Sequence, residues 1–218
     1  MEKMCCIIGL TGAGKSTYLD YILKYKKDHG LYDMNRLIYH TTRKPRDNER
    51  DGVDYYFGQK KPPSFVTIKT EQGGVAMAQN PVLIEERCYT TMNNGVVDYY
   101  TTIDCVKEDY YICAPSIEQL ASYLKYFGSD KIIVVEIGTE IKTRIKRVLD
   151  KRTKTDQDVY ELCRRVVQEK IDWEKAHYED IIKNQLQHYL YIDNTVEADF
   201  QKNADKIFEY IKEQFHKA

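Results

Sequence analysis

The residues best placed to do chemistry stand near the start of the chain. Gly9-Leu10-Thr11-Gly12-Ala13-Gly14-Lys15-Ser16, followed by Thr17, meets the spacing G-x-x-x-x-G-K-S. Glycines at that spacing let successive backbone N–H groups turn toward one anion, and a helix starting at Lys15 adds the positive end of its dipole. Lys15 is long enough to reach the β- and γ-phosphates of a nucleoside triphosphate, and the Ser16 hydroxyl is a ligand for the Mg2+ that accompanies them. A chance match in a chain of this length is roughly a one-in-a-hundred event, so triphosphate binding is the reading adopted. The guanine-reading N-K-x-D pattern of GTP hydrolases is absent.

A second cluster lies in Thr41-Thr42-Arg43-Lys44-Pro45-Arg46-Asp47-Asn48-Glu49-Arg50-Asp51-Gly52-Val53-Asp54-Tyr55-Tyr56-Phe57. Arg43 and Arg46, three apart and stiffened by Pro45, form a candidate clamp for another phosphate, because a guanidinium fork matches an anion's oxygens. Composition alone favours a solvated basic loop.

These clusters need a frame. Apolar Met4–Ile8 reads as a buried strand. The stretch from Lys15 to about His29 reads as a helix, with Leu19, Ile22 and Leu23 on one face and Gly30 as its stop. Further strands are expected at Arg36–Tyr39, Phe65–Ile68, Val75–Ala78, Pro81–Ile84, Asp109–Cys113, Lys131–Ile137 and Tyr189–Ile192, with turns at Gly73-Gly74 and Asn93-Asn94-Gly95. Ser116 with Gln119 is a capping box for a helix carrying Ile117, Leu120, Leu124 and Phe127. A basic helix follows with Ile141, Ile145, Val148 and Leu149. Thr153–Asp158 reads as loop, Val159, Leu162, Val166 and Val167 mark another helix, and Phe200 to Phe215 the last. Strands alternate with helices at both ends, which predicts an α/β fold with a parallel sheet covered on both faces. The polar, strand-rich middle reads as an insertion.

Bulk properties narrow the function classes. The chain has 218 residues and a net charge of −1, so no global field draws it to nucleic acid or to an anionic membrane. Six cysteines contain no C-x-x-C pair, which argues against zinc and redox motifs, and Cys5, Cys6 and Cys113 read as small buried hydrophobes. No charged-then-apolar leader precedes the first strand, and no apolar run approaches the roughly 18 residues of a membrane span. A soluble, cytoplasmic protein is expected, as a monomer or small homo-oligomer.

The segment T-T-R-x-P-R-x-x-E-x-x-G-x-D-Y-x-F, following the glycine-rich loop, resembles the GMP-binding signature of guanylate kinases. Weaker likeness continues through Glu85, Tyr99-Tyr100-Thr101-Thr102, and a basic helix region with Arg152, Arg164 and Arg165. The resemblance implies a P-loop NTPase three-layer fold with a parallel sheet core (1–38 and 106–218), an inserted small β-rich NMP-binding subdomain (about 39–105) and a short lid (about 150–163). It implies that Gly9 to Thr17 bind ATP with Mg2+, and that Arg43, Arg46, Tyr55 and Tyr100 hold the GMP phosphate. Glu85 would accept from the guanine edge and Thr102 would donate to it. Arg152, in the lid, and Arg165 would reach across to the transferring phosphoryl group, and with Lys15 on the donor and Arg43 and Arg46 on the acceptor they make up the implied catalytic set.

Four features depart from the pattern. Tyr39 or His40 stands where the family carries a small serine against the base. The stretch between Glu85 and Tyr100 is longer. The strand Tyr110–Ala114 ends without the family's acidic residues, and Asn48 replaces a glycine. The implied activity is transfer of the γ-phosphoryl of ATP to GMP or dGMP. A kinase for another nucleoside monophosphate, or a non-catalytic binding module, are the alternatives.

Overall fold

A computed structural model describes residues 1–46, 49–69, 75–91, 95–152, 155–175, 178 and 183–216, with the backbone alone for 68, 69, 75, 152 and 216. The turns expected at Gly73-Gly74 and Asn93-Asn94, and the substitution Asn48, lie outside the described residues. Two compact units form, Met1–Arg36 with Glu108–Ala218, and Leu37–Lys107. In chain order the described strands are β1 (Lys3–Ile8), β2 (Met34–Arg36), β3 (His40–Thr41), β4 (Tyr56–Phe57), β5 (Phe65–Lys69), β6 (Val75–Gln79), β7 (Leu83–Thr91), β8 (Gly95–Thr102), β9 (Tyr110–Cys113), β10 (Ile132–Gly138) and β11 (His188–Asp193). The helices are α1 (Lys15–Tyr25), α2 (Ile117–Phe127), α3 (Ile141–Arg152), α4 (Asp156–Lys175), the single turn α5 (Lys183–Gln185) and α6 (Phe200–His216).

In the first unit, five parallel strands lie in the order β11-β10-β1-β9-β2. Parallel strands buried on both faces need unbroken apolar runs, and Met4 to Ile8 and Ile132 to Val135 supply them, all fully buried. Successive residues alternate between faces. Cys5, Ile7, Ile133, Val135 and Ile137 pack with Leu19 and Ile22 of α1 and with Ile207, Phe208 and Ile211 of α6. On the other face Cys6 meets Cys113, Sγ to Sγ 3.8 Å, and α2 packs on β10 while α3 and α4 pack together. Burial pushes the Cys5 and Cys6 thiols well above their ordinary range, as expected of cysteines used as small hydrophobes. The chain thus adopts the α/β P-loop architecture anticipated from its alternating elements. No described helix is long and apolar enough to cross a membrane.

Local chemistry explains the boundaries. Ser116 Oγ accepts from Gln119 N–H and caps α2. Helix α1 stops at Tyr25, short of His29, because the chain turns through Lys26–Gly30: Leu31 N–H returns to Lys26 C=O at 2.8 Å, with Gly30 at φ 78°. The polar stretch read as loop up to Asp158 is instead the start of α4. Thr155 Oγ1 accepts from Asp158 N–H, while the Asp158 carboxylate accepts from Thr155 N–H at 3.0 Å, a reciprocal cap.

The second unit holds a four-stranded sheet in the order β4-β3-β8-β7 and the separate hairpin β5-β6. Strand β7 runs to Thr91, well past the Ile84 expected from apolar character, and pairs along its length with β8. The additional residues between Glu85 and Tyr100 lengthen this hairpin.

Phe208 is fully buried between the sheet and α1, with the His29 ring stacked on it at 3.7 Å. Phe208→Ala is expected to lower unfolding free energy by about 3–5 kcal/mol, read from urea denaturation.

Candidate functional site

The turn between β1 and α1 is built so that its carbonyls face outward. Ala13 C=O accepts from Asn194 Nδ2 at 2.7 Å and from Thr139 Oγ1 at 3.2 Å. Thr11 C=O accepts from Arg144 Nη1 at 3.0 Å. Gly9 and Leu10 C=O accept from Lys15 Nζ at 2.5 and 3.3 Å. Asn194 is itself oriented by Tyr18 Oη, which donates to its Oδ1 at 2.9 Å.

Two glycines are required by space as well as by backbone angle. A Cβ on Gly12 (φ 81°) would lie 2.4 Å from the Arg144 carbonyl oxygen, and one on Gly14 (φ 110°) 2.7 Å from Asn194 Nδ2. Gly14 is the N-cap of α1 and supplies no side-chain cap. The N–H groups of the first helical turn have no intrahelical acceptors, so this end of α1 has the chemistry to receive an anion. Ser16 and Thr17 are exposed beside it.

Other parts of the loop's surroundings were not legible from spacing. Glu169 of α4 accepts from Thr11 N–H at 2.7 Å, and from the Thr11 hydroxyl. Arg144 is buried at 6 % exposure, which pushes its guanidinium below the usual value against the opposing pull of Glu169. Glu136 of β10 accepts from Tyr178 Oη at 2.5 Å and Tyr189 Oη at 2.6 Å. Burial, then the Glu136 carboxylate, raises the Tyr178 phenol far above its ordinary range. Arg165 is half-buried on α4 with no ion pair among the described residues, whereas Arg164 is held by Glu161 at 2.9 and 2.8 Å. Arg152 ends α3, and its side chain lies outside the described residues. Strand β9 runs into Ala114 without a carboxylate, and no group of three or more His, Cys, Asp or Glu able to hold a metal occurs among the described residues.

In the second unit Arg43 is the centre. Its side chain is only 2 % exposed. Nη1 and Nη2 fork onto Glu49 at 2.5 and 2.7 Å, Nη1 also donates to Lys44 C=O, and Nε donates to Tyr99 Oη at 3.0 Å. The guanidinium lies 4.8 Å from the Tyr55 ring centroid and 5.4 Å from that of Phe57. Arg46, by contrast, is 63 % exposed and 3.5 Å from Glu49, while its backbone N–H donates to the same carboxylate at 2.9 Å. The two arginines expected to act alike are therefore different: Arg43 is a fixed post with one Nη2 N–H left over, and Arg46 reaches into solvent.

Strand alternation corrects two expectations. Tyr99, not Tyr100, shares a face with Arg43. Tyr100 is buried on the opposite face, stacked on His40 at 4.7 Å, with its hydroxyl donating to Gln59 C=O. Likewise Thr101 Oγ1, not Thr102, donates to Glu85 at 2.8 Å, and Thr102 faces His40 and Cys105. Glu85 is also paired with Arg87 Nε at 2.9 Å. Between the candidates for the base-facing position, the sheet selects Tyr39. Its ring meets Tyr55 at 5.1 Å and lies 5.7 Å below the Arg87 guanidinium. His40 is turned away, and burial pushes its imidazole below the ordinary value against a weaker pull from Asp104.

The guanylate kinase family model matches residues 1–63. The guanylate kinase of Schizosaccharomyces pombe is 44 % identical over 59 residues, 27 % of this chain and 27 % of that protein, so the match spans about a quarter of the relative's length. The guanylate kinase of Malacoplasma penetrans is 28 % identical over 159 residues, covering 66 % of this chain and 76 % of that one. In structure, the guanylate kinase from Anaplasma phagocytophilum superposes with a TM-score of 0.51 at 13 % identity, over 99 % of this chain and 87 % of that chain, a likeness of fold.

Burial alone would raise the Glu49 carboxyl, but hydrogen bonds from Arg43 and from Arg46 N–H outweigh it and hold the group below the usual range. A pKa lowered by folding contributes stability above the ordinary carboxylate value of about 4.3, and that stability is lost as pH falls through the lowered value. Glu49→Gln leaves Arg43 without its counter-ion and is expected to cost about 3 kcal/mol at neutral pH. Denaturation midpoints of variant and parent should converge as pH is lowered through that depressed value.

Proposed function

We propose that the chain is an enzyme of the guanylate kinase family, which its N-terminal match and its fold support, and that it transfers the γ-phosphoryl group of ATP to GMP or dGMP, giving ADP and the nucleoside diphosphate. The observation that carries the reading is the gathering of Arg43, Tyr55, Tyr99, Glu85 and Thr101 on one face of the second unit's sheet, in a chain whose first unit presents an uncapped, glycine-built helix start. In this reading residues 39–105 form the acceptor-binding subdomain and about 150–163 the lid.

Phosphoryl transfer asks little covalent chemistry of a protein. It asks for alignment of two anions and for cancellation of their charge. Lys15, whose Nζ donates to the Gly9 and Leu10 carbonyls, is placed to donate to phosphate oxygens when ATP binds. Within the loop Gly9 to Thr17, the N–H groups at the start of α1 take the phosphates, while Thr11, expected to join them, is held by Glu169 and Arg144. Arg46 and the remaining N–H of Arg43 hold the acceptor phosphate with the Tyr99 and Tyr55 hydroxyls. Arg165, and Arg152 in the lid, offset the charge that develops between donor and acceptor. No general base is needed, because the attacking phosphate oxygen is already ionised. The exposed Ser16 hydroxyl, with phosphate oxygens and water, fits Mg2+, a cation that keeps several waters. When bound, it neutralises phosphate charge. Free nucleotides as substrates suit a cytoplasmic enzyme.

Glu85 is the acceptor for the N1–H and amino group of guanine. Its pairing with Arg87, and Tyr39 beside that pair, favour one second reading, a kinase for another nucleoside monophosphate.

A coupled ADP-release assay over a panel of NMPs and dNMPs tests the choice. Turnover with GMP and dGMP alone is the expected result. Turnover with a different monophosphate selects the second reading, and ATP binding without any turnover selects a non-catalytic module. Arg43→Ala is expected to lower transfer about 100-fold while ATP affinity stays within about threefold; equal losses would remove Arg43 from the acceptor site. Tyr99→Phe should raise KM for the monophosphate about tenfold, as loss of one hydrogen bond to a charged group, and Tyr100→Phe should leave it unchanged in steady-state kinetics.

A further inference from the structure

The helix that carries Arg165 is tied to the donor loop by a carboxylate. Glu169 takes both the backbone N–H and the hydroxyl of Thr11, while the Thr11 carbonyl is held from behind by Arg144 of α3. All three polar groups of this loop residue are thereby committed to α3 and α4.

Glu169 meets the loop at Thr11, not at the start of α1. The N–H groups left open for an anion are those at the start of α1, beyond the uncapped Gly14. Thr11 lies on the other side of the intervening turn, where Ala13 N–H closes back on Leu10 C=O at 3.0 Å. The carboxylate is thus placed to brace the loop rather than to fill its cradle.

Residues four apart on a helix share a face, one turn from each other. On α4 that face reads Leu162, Arg165, Glu169, Trp173. Leu162 is buried in the unit. Trp173 packs against Tyr178 at 4.7 Å, and Tyr178 is hydrogen-bonded to Glu136 of the central strand β10. Arg165, half-buried, has no ion pair among the described residues to fix it, and it stands one turn from the Glu169 contact.

We infer that Glu169 is a positioning residue, whose contact with Thr11 sets α4 against the donor loop and so places Arg165 at the phosphates bound there. This inference rests on the phosphotransferase reading for the role of Arg165, and on geometry alone for the contact between loop and helix. Without the latch, α4 keeps its packing through Leu162 and Trp173, but the turn carrying Arg165 loses its reference to the loop. Misplacement of a charge-bearing group by about 1 Å is enough to cost on the order of 100-fold in rate.

The test uses the full chain with ATP–Mg2+ as probe. Glu169→Ala is expected to lower kcat about 30-fold, with KM for ATP within about threefold. Glu169→Gln, which retains a carbonyl acceptor for Thr11 N–H, should recover most of that loss. The double variant Glu169→Ala/Arg165→Ala should be no slower than Arg165→Ala alone, because the first residue acts through the second. Multiplicative losses in the double variant would overturn the inference. So would tighter ATP binding by Glu169→Ala or Glu169→Gln, which would make the carboxylate a competitor of the phosphates. Trp173 is the chain's single tryptophan and lies one turn past Glu169. Its emission is expected to respond to ATP–Mg2+ in the parent and in Glu169→Gln, but not in Glu169→Ala. An unchanged response in Glu169→Ala overturns the latch whatever the acceptor is. A parent inactive on every monophosphate, with the fluorescence difference intact, overturns the kinase reading and leaves the latch standing. If Glu169→Ala does not fold, Glu169→Gln and Thr11→Val carry the same measurements.

Discussion

A loop that turns its N–H groups toward an anion must turn carbonyl groups the other way, and each of those needs a donor in a place with little water. In this chain the donors come from far along the sequence. Asn194 and Thr139 serve Ala13 and Arg144 serves Thr11, while Gly9 and Leu10 are served from nearby by Lys15. The parallel order β11-β10-β1-β9-β2 makes this supply practicable. It brings the carboxyl ends of β10 and β11, with the residues that follow them, beside the carboxyl end of β1. The sheet is therefore the scaffold of the loop as much as its origin.

The second unit solves a related problem with charge. A guanidinium as buried as Arg43 is costly unless its donors are met. Glu49, Tyr99 and Lys44 C=O meet them, and the rings of Tyr55 and Phe57 flank the cation. The result is a rigid post beside an exposed Arg46. The two arginines thus differ in kind: Arg43 is fixed by its neighbours, while Arg46 projects into solvent at the edge of the same carboxylate. Glu85 is similarly committed, to Thr101 and to Arg87, so the direction of its carboxylate is set by its neighbours.

Much of the fold was legible because its signals are local and chemically specific. The apolar runs of β1 and β10, the Ser116 cap and the α6 stripe each state their own structure. Legibility failed where the local signal was symmetric or polar. Tyr99-Tyr100 and Thr101-Thr102 are doublets, so a shift of one residue changes no residue type yet exchanges the two faces of the strand. Residues 85–91 alternate among polar side chains with no apolar face to announce a strand. Thr155 and Asp158 look like loop residues, and it is their mutual hydrogen bonding that makes them a helix start.

The sequence by itself determined the donor loop, the parallel α/β frame and the membership of Arg43, Arg46, Tyr55 and Glu85 in a candidate acceptor site, since each rests on spacing or on a motif readable within a few dozen residues. Tertiary structure decided which tyrosine and which threonine face that site, that Tyr39 rather than His40 borders it, and that Arg43 is held by Glu49. It also brought Asn194, Arg144 and Glu169 to the donor loop. Those contacts join residues more than a hundred positions apart, and no periodicity or motif encodes them. They exist because strands from distant segments must lie side by side to bury a common core, and the loops at their ends are carried together with them.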